Sequence, residues 1–162
     1  MNIKKTASLL INFTLNRLAE IMGIIITLTG ISLFISLFSY SPDDPNFIFP
    51  QNAEIKNILG FHGSFVSDLF FQSIGLIAYL ISFTLIATGY NILKTKDFFL
   101  IIENIFYAVL YIIFGSLFFS YYYADAFTLY INGNGGFVGN YFNQTFLKSL
   151  INLNEIIVYY LL

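Results

Sequence analysis

Few residues in this sequence could do chemistry, and their surroundings restrict what each can do. Asp43 and Asp44 form an adjacent carboxylate pair of the kind that can hold a cation or share a proton, but they sit in Ser39-Tyr40-Ser41-Pro42-Asp43-Asp44-Pro45-Asn46-Phe47. In such a run the prolines fix φ and the Asp, Ser and Asn side chains bond nearby amides, so the pair reads as turn and cap residues. Glu103 is the one carboxylate inside an apolar run, a position that suggests proton or cation relay. It lies about five residues into that run, shallow enough to reach the interface, and no His, Arg or second acid occupies another apolar run to complete a relay. His62 has no ligand partner at metal spacing and reads as a solvent-facing loop histidine. Asn132-Gly133-Asn134-Gly135-Gly136-Phe137-Val138-Gly139 has the glycine content of a phosphate-cradling loop, but neither Lys-Ser nor Lys-Thr follows it; these glycines read as turn and close-approach positions. The chain has no cysteine, which removes disulfides, thiolate metal sites and a thiol nucleophile, and its single histidine removes multi-histidine sites. No catalytic, cofactor-binding or metal residue is assigned, and the chain reads as a non-enzyme without a cofactor or small-molecule substrate.

The elements that carry these residues are set by hydrophobicity. Of 162 residues 57% are apolar and 10% charged, where a soluble domain has about 25% charged. Seven Lys and Arg against nine Asp and Glu leave a net charge of -2, so there is no basic field to neutralise phosphates, and direct nucleic-acid binding by this chain is not expected. Three uncharged or nearly uncharged runs, at about 21–38, 73–93 and 98–121, approach the roughly 20 residues that cross a hydrocarbon core. Ile156 to Leu162 is apolar but short, and with Glu155 before it reads as the start of a fourth span in a truncated or split reading frame, the alternative being a short terminal helix on the bilayer or on the other three. The expected fold is all-α: a polytopic membrane helical bundle of three full transmembrane helices and the start of a fourth, with 1–20 as a cytoplasmic amino-terminal segment and 21–162 as the membrane domain. A cleaved signal peptide is rejected because the first apolar run exceeds the usual h-region and Pro42 follows the candidate cleavage site.

Lys4, Lys5 and Arg17 precede the first span and Lys94 and Lys96 lie between the second and third, whereas the two other connections hold Lys56 and Lys148. The positive-inside rule therefore makes the amino terminus and the 94–97 turn cytoplasmic and sends 39–72 and 122–155 outward. Ser8 to Glu20 has apolar residues at roughly helical spacing and is either a helix on the inner surface or an extension of the first span. Gly23, Thr27 and Gly30 share one face of the first span, and Gly75, Ala78, Ser82 and Gly89 one face of the second; small residues let helices approach, within one chain or between copies. Tyr40, Tyr90 and Tyr121 to Tyr123 fall at span ends, as interfacial anchors do. A helix is expected to start near Ser64, run along the interface and feed the second span.

The 39–47 run after a first span, Gly60-Phe61-His62-Gly63-Ser64 to Asp68-Leu69-Phe70-Phe71-Gln72 and Gly75 entering a second, and Gly135-Gly136-Phe137-Val138-Gly139 ahead of a fourth resemble, in order and spacing, the amino-terminal four-span region of the bacterial DNA translocase FtsK/SpoIIIE family. The resemblance covers nearly the whole chain. It implies a multi-pass anchor in the bacterial inner membrane at the division septum, serving cell division and chromosome segregation. The partners it implies are the lipid bilayer, other division proteins and further copies of itself. The family's ATPase and winged-helix parts have no counterpart in these residues, which contain no Walker A sequence. The reading from another class is a small channel or transporter subunit, which the small-residue faces favour and the lack of paired intramembrane charges or a proline-interrupted helix opposes.

Overall fold

The computed structural model describes residues 3–45, 54–124 and 131–151, with 3–7 and 150–151 by backbone alone. Among these residues there are helices and turns and no strand. Helix α1 is Ile3–Phe38, α2 is Gly60–Ile74, and a 3-10 turn at Gly75–Ile77 joins α2 to α3, Ala78–Thr95. After a short turn come α4, Phe99–Tyr122, and then α5, Gly136–Phe142, which passes through a π turn at Asn143–Leu147 into α6, Lys148–Ile151. Three stretches, Ser8–Phe38, Gly60–Thr95 and Phe99–Tyr122, are long and apolar enough to cross a membrane. The expected start of a fourth span at 156 lies outside the described residues.

The centre of the fold is the α1–α3 pair, the most extensive helix contact. Gly23, Thr27 and Gly30 of the first expected small-residue face meet Gly89 and Ile86 of α3 within one chain, whereas Gly75 of the second face packs against Asn134 instead of α1. A Cβ on Gly23 would come 2.9 Å from the Gly89 carbonyl oxygen, and one on Gly30 would come 2.8 Å from the Ile86 amide nitrogen. Gly89 in turn has no room for a side chain against Thr27, whose hydroxyl donates to the Gly23 carbonyl at 2.8 Å. Backbones this close gain dispersion contacts along their length, which is what holds helices together where lipid removes the hydrophobic drive. Toward the Phe38 end of α1, buried Leu33, Leu37, Phe71, Ile74 and Ala78 form a cluster, with Tyr40, Tyr79 and Leu85 against them.

The end of the bundle at the α3–α4 turn is compact. Lys96 adopts φ 62° to close α3, its N–H reaching the Ile92 carbonyl at 2.8 Å, and the Asp97 carboxylate caps α4 by accepting the Phe99 amide at 2.9 Å. Lys96 Nζ also meets Glu20 Oε1 of α1 at 3.0 Å, so this ion pair marks where the bundle ends along α1. Helix α1 continues beyond it without a break, favouring extension of the first span over a separate surface helix at Ser8 to Glu20.

Helix α2 begins at Gly60, one turn before the expected Ser64. Asn57 supplies the start instead: its side-chain oxygen accepts the Leu59 amide at 3.1 Å and its carbonyl the Gly60 amide at 2.9 Å. The Ser64 hydroxyl donates to the Pro45 carbonyl at 2.9 Å and ties the loop after α1 to α2.

Candidate functional site

Most buried polar groups of the described residues gather in two constructions at the end of the bundle that holds the α1–α2 loop and α5. The first closes the loop after α1. Asp44 is 3% exposed, and its carboxylate accepts the backbone amides of Lys56 at 2.9 Å and Asn57 at 2.8 Å. One carboxylate accepting two backbone amides, the Asn57 bond buried and the Lys56 bond part-buried, is a strong pairing. Asn57, also buried, donates from Nδ2 to the Ser36 carbonyl at 2.8 Å and the Ser39 carbonyl at 3.3 Å, which are acceptors left over at the end of α1. Ser36 Oγ donates to the Gly63 carbonyl at 2.6 Å, and Tyr40 Oη to Asp68 Oδ1 at 3.0 Å. Asp43 points elsewhere, exposed and 3.4 Å from Lys56 Nζ. The two aspartates therefore do not converge on a shared proton or cation. Asp44 holds the turn, as its setting suggested, but by gripping a segment twelve residues along rather than its own turn.

The second construction is a glycine lock. At Gly75, where φ is 66°, the α2–α3 helix is interrupted, and a Cβ there would overlap the Asn134 carbonyl. That carbonyl accepts the Leu76 amide at 2.9 Å. Gly136, at φ 63°, presses on the amides of Ile74 and Gly75, while Gly135 and Gly139 leave no space for a Cβ against the Ser116 carbonyl. Ser116 Oγ donates to the Ile74 carbonyl at 2.9 Å, and Asn132 uses its side chain and amide to engage the Gln72 carbonyl at 3.1 Å and Gln72 Oε1 at 3.2 Å. Ser120 Oγ donates to Asn140 Oδ1 at 2.9 Å, and Asn140 Nδ2 donates to the Asn132 carbonyl at 2.7 Å. The glycines thus serve close approach between backbones, as expected, and the loop contacts helices rather than forming a cradle for phosphate.

Three singled-out residues stay apart from both constructions. His62 is exposed as expected, but on the first turn of α2 rather than in a loop, with its ring against Phe61. Glu103 is exposed on the first turns of α4. Tyr90 is exposed on α3. Among the described residues no three His, Asp or Glu side chains come together as a metal site would need.

The interruption of a spanning helix was not expected, and in transporters broken helices expose backbone groups to a substrate. Here the freed groups are engaged: Ile74 by Ser116, Gln72 by Asn132, and Leu76 by Asn134. A cavity of about 280 Å³ between α1, α3 and α4 is lined by Thr84, Thr88, Asn104 and Tyr111 among apolar neighbours. Its polar groups bond each other, Asn104 Nδ2 to Thr88 Oγ1 at 2.8 Å and the Thr84 and Tyr111 hydroxyls at 3.0 Å. Neither feature supplies a polar path. The arrangement can hold helices in register.

Asn57, Asn132, Asn134 and the Ser116–Ser120 pair were not singled out by sequence. A readable signal existed for one set: Ser116 and Ser120 are four apart, as are Gly135 and Gly139, and the two small-residue pairs face each other.

The family model described as the 4TM region of DNA translocase FtsK/SpoIIIE matches residues 16–162. Curated relatives include proteins named DNA translocase FtsK from Rickettsia bellii, 30% identical over 48% of this chain and 10% of that protein, and from Azospirillum brasilense, 30% identical over 52% and 14%. Another, from Vibrio parahaemolyticus, is 35% identical over 49% of this chain and 8% of its own length. The chain thus spans about a tenth of the length of the curated relatives it matches. No solved structure matches it. With three membrane-spanning helices and a family match over all but its first residues, the chain belongs to the four-transmembrane region of the FtsK/SpoIIIE DNA translocases.

Proposed function

We propose that this region is the membrane anchor and septum-targeting part of an FtsK-like translocase, acting in cell division and chromosome segregation, and that its own contribution is attachment rather than catalysis. The observation that carries the reading is the family match over residues 16–162 combined with helices that spend their polar groups on one another. An anchor needs bilayer insertion and a fixed shape. A motor needs a nucleotide site, and the glycine loop at 133–139 is occupied with helix contacts.

In this reading the bilayer is the bacterial inner membrane. The amino terminus and the Lys94–Lys96 turn are cytoplasmic, on the strength of the lysine and arginine distribution. The two polar constructions then form the outer face, where other division proteins would meet it. The reading is tested by following a carboxy-terminal fluorescent fusion in dividing bacterial cells, with a neutral apolar helix appended after Leu162. Accumulation at mid-cell is the expected result. Uniform membrane fluorescence in cells that insert the protein would contradict septum targeting by this region.

A further inference from the structure

Helix α2 has one face that neither polar construction uses. Leu59, His62, Val66 and Phe70 recur at intervals of three, four and four residues and line up along it. Two apolar hollows lie there. The larger, about 330 Å³, is closed by Leu33 of α1 and Leu85 of α3, and the smaller, about 250 Å³, by Phe61 and Phe65 on the other flank of the face. His62 and Val66 line both, so the hollows adjoin at these two side chains. Of the hydroxyls on the larger wall, Thr29 donates to the Ile25 carbonyl and Ser36 to that of Gly63, while Ser32 has the i−4 bond open to any helical serine. His62 differs. It is exposed, its ring rests against Phe61, and among the described residues it makes no hydrogen bond.

We infer that this face binds one diacyl phospholipid, with an acyl chain in each hollow and the phosphate on His62. The walls belong to Ser8–Phe38 and Gly60–Thr95, stretches long and apolar enough to cross a membrane, so hydrocarbon rather than water reaches the hollows. The fork is what separates this site from ordinary lipid contact. A glycerophospholipid is two chains that part from one polar junction, and here two apolar hollows part from one imidazole. Neutral or charged, that ring keeps at least one N–H for a phosphate oxygen, and a hydrogen bond to an ionised acceptor is of the strong kind. At about 30 Å³ per group, the share of a water molecule in the liquid and close to that of a methylene, the hollows take roughly eleven and eight methylenes, the first part of each chain. A helix of another protein, a cylinder about 10 Å across, does not divide around Val66. The inference rests on the chain crossing a membrane and not on septum targeting.

The chain has no tryptophan, so a single introduced one reports quenching at its own position. Leu59→Trp marks the larger hollow, Phe65→Trp the smaller, and Phe106→Trp an exposed position on α4. The full chain in dodecyl maltoside micelles is titrated with a phosphatidylethanolamine brominated on both acyl chains. Quenching at 59 and 65 should rise together and saturate near one lipid per chain, while at 106 it should only follow the lipid fraction of the micelle. Adding His62→Ala should weaken binding at both positions by at least about tenfold, and His62→Arg, which keeps a donor for phosphate, should restore it. Because His62 is exposed and unbonded, His62→Ala should leave the unfolding temperature in lipid-free detergent unchanged, which separates lost binding from lost fold. A brominated diacylglycerol, which lacks the phosphate, should bind at least about tenfold more weakly and be indifferent to His62→Ala. Quenching at all three positions that tracks the micelle's lipid fraction, saturation at only one of 59 and 65, or phospholipid binding unaffected by His62→Ala would each overturn the inference.

Discussion

Two regions of this molecule bring backbones into contact through small residues, and they do so by different means. Along α1 and α3, Gly23, Thr27, Gly30 and Gly89 let two uninterrupted helices touch, and few side-chain hydrogen bonds are involved. Around the α2–α3 break, Gly75, Gly135, Gly136 and Gly139 bring together segments that are broken or just beginning, and serines and asparagines bond across almost every contact. The difference follows from the backbone. A continuous helix satisfies its own amides and carbonyls, so within the hydrocarbon only bulk has to be removed for close approach. Where helices start, stop or kink, groups are orphaned, and side chains must collect them.

This contrast ranks substitutions, each checked by thermal unfolding of the purified protein in detergent. The largest loss is expected for Gly75→Val, which combines a β-branched residue at φ 66° with overlap on the Asn134 carbonyl; about 3 kcal/mol or more should be lost, enough to unfold much of the population. Asp44→Ala comes next, at about 2–4 kcal/mol, because it leaves the buried Asn57 amide and the part-buried Lys56 amide without their acceptor. Its neighbour sharpens the point. Asp43→Ala removes an exposed ion pair and should change stability by less than about 0.5 kcal/mol, and both variants should still fractionate with the membrane. Gly89→Leu forces α1 and α3 apart and should cost about 1–3 kcal/mol; if it equals Gly75→Val, the distinction between the two regions fails. Among the variants that disturb the bundle interior, Asn104→Ala should cost least, at about 0.6 kcal/mol, because it breaks one bond to Thr88.

The spans were legible because runs free of charge have one explanation in a chain this apolar, and the α1–α3 contact because Gly23, Thr27 and Gly30 recur at helical spacing. The two polar constructions were legible only in part. Asp44 could be assigned to a turn from its prolines, but its partners come from a segment whose sequence, around Lys56 and Asn57, carries no marker of pairing. Helices α5 and α6 were hidden because Asn132 to Gly139 has the composition of a turn, and only contact with α4 and with the break at Gly75 makes a helix start there favourable. The same holds for Gly60: local propensity places the start of α2 at Ser64, and the Asn57 bonds move it earlier. Tertiary partners decided wherever the chain was neither continuously apolar nor continuously helical.

The most direct test of the anchoring role is a replacement. Residues 1–162 are fused to the remainder of the DNA translocase FtsK of Vibrio parahaemolyticus in place of the segment they match, and the hybrid is followed in dividing cells alongside the same remainder without any membrane region. Anchoring and septum targeting by this chain predict that the hybrid sediments with the membrane and gathers at mid-cell while the remainder alone does neither. A hybrid that inserts in the membrane but spreads evenly around the cell would contradict the account.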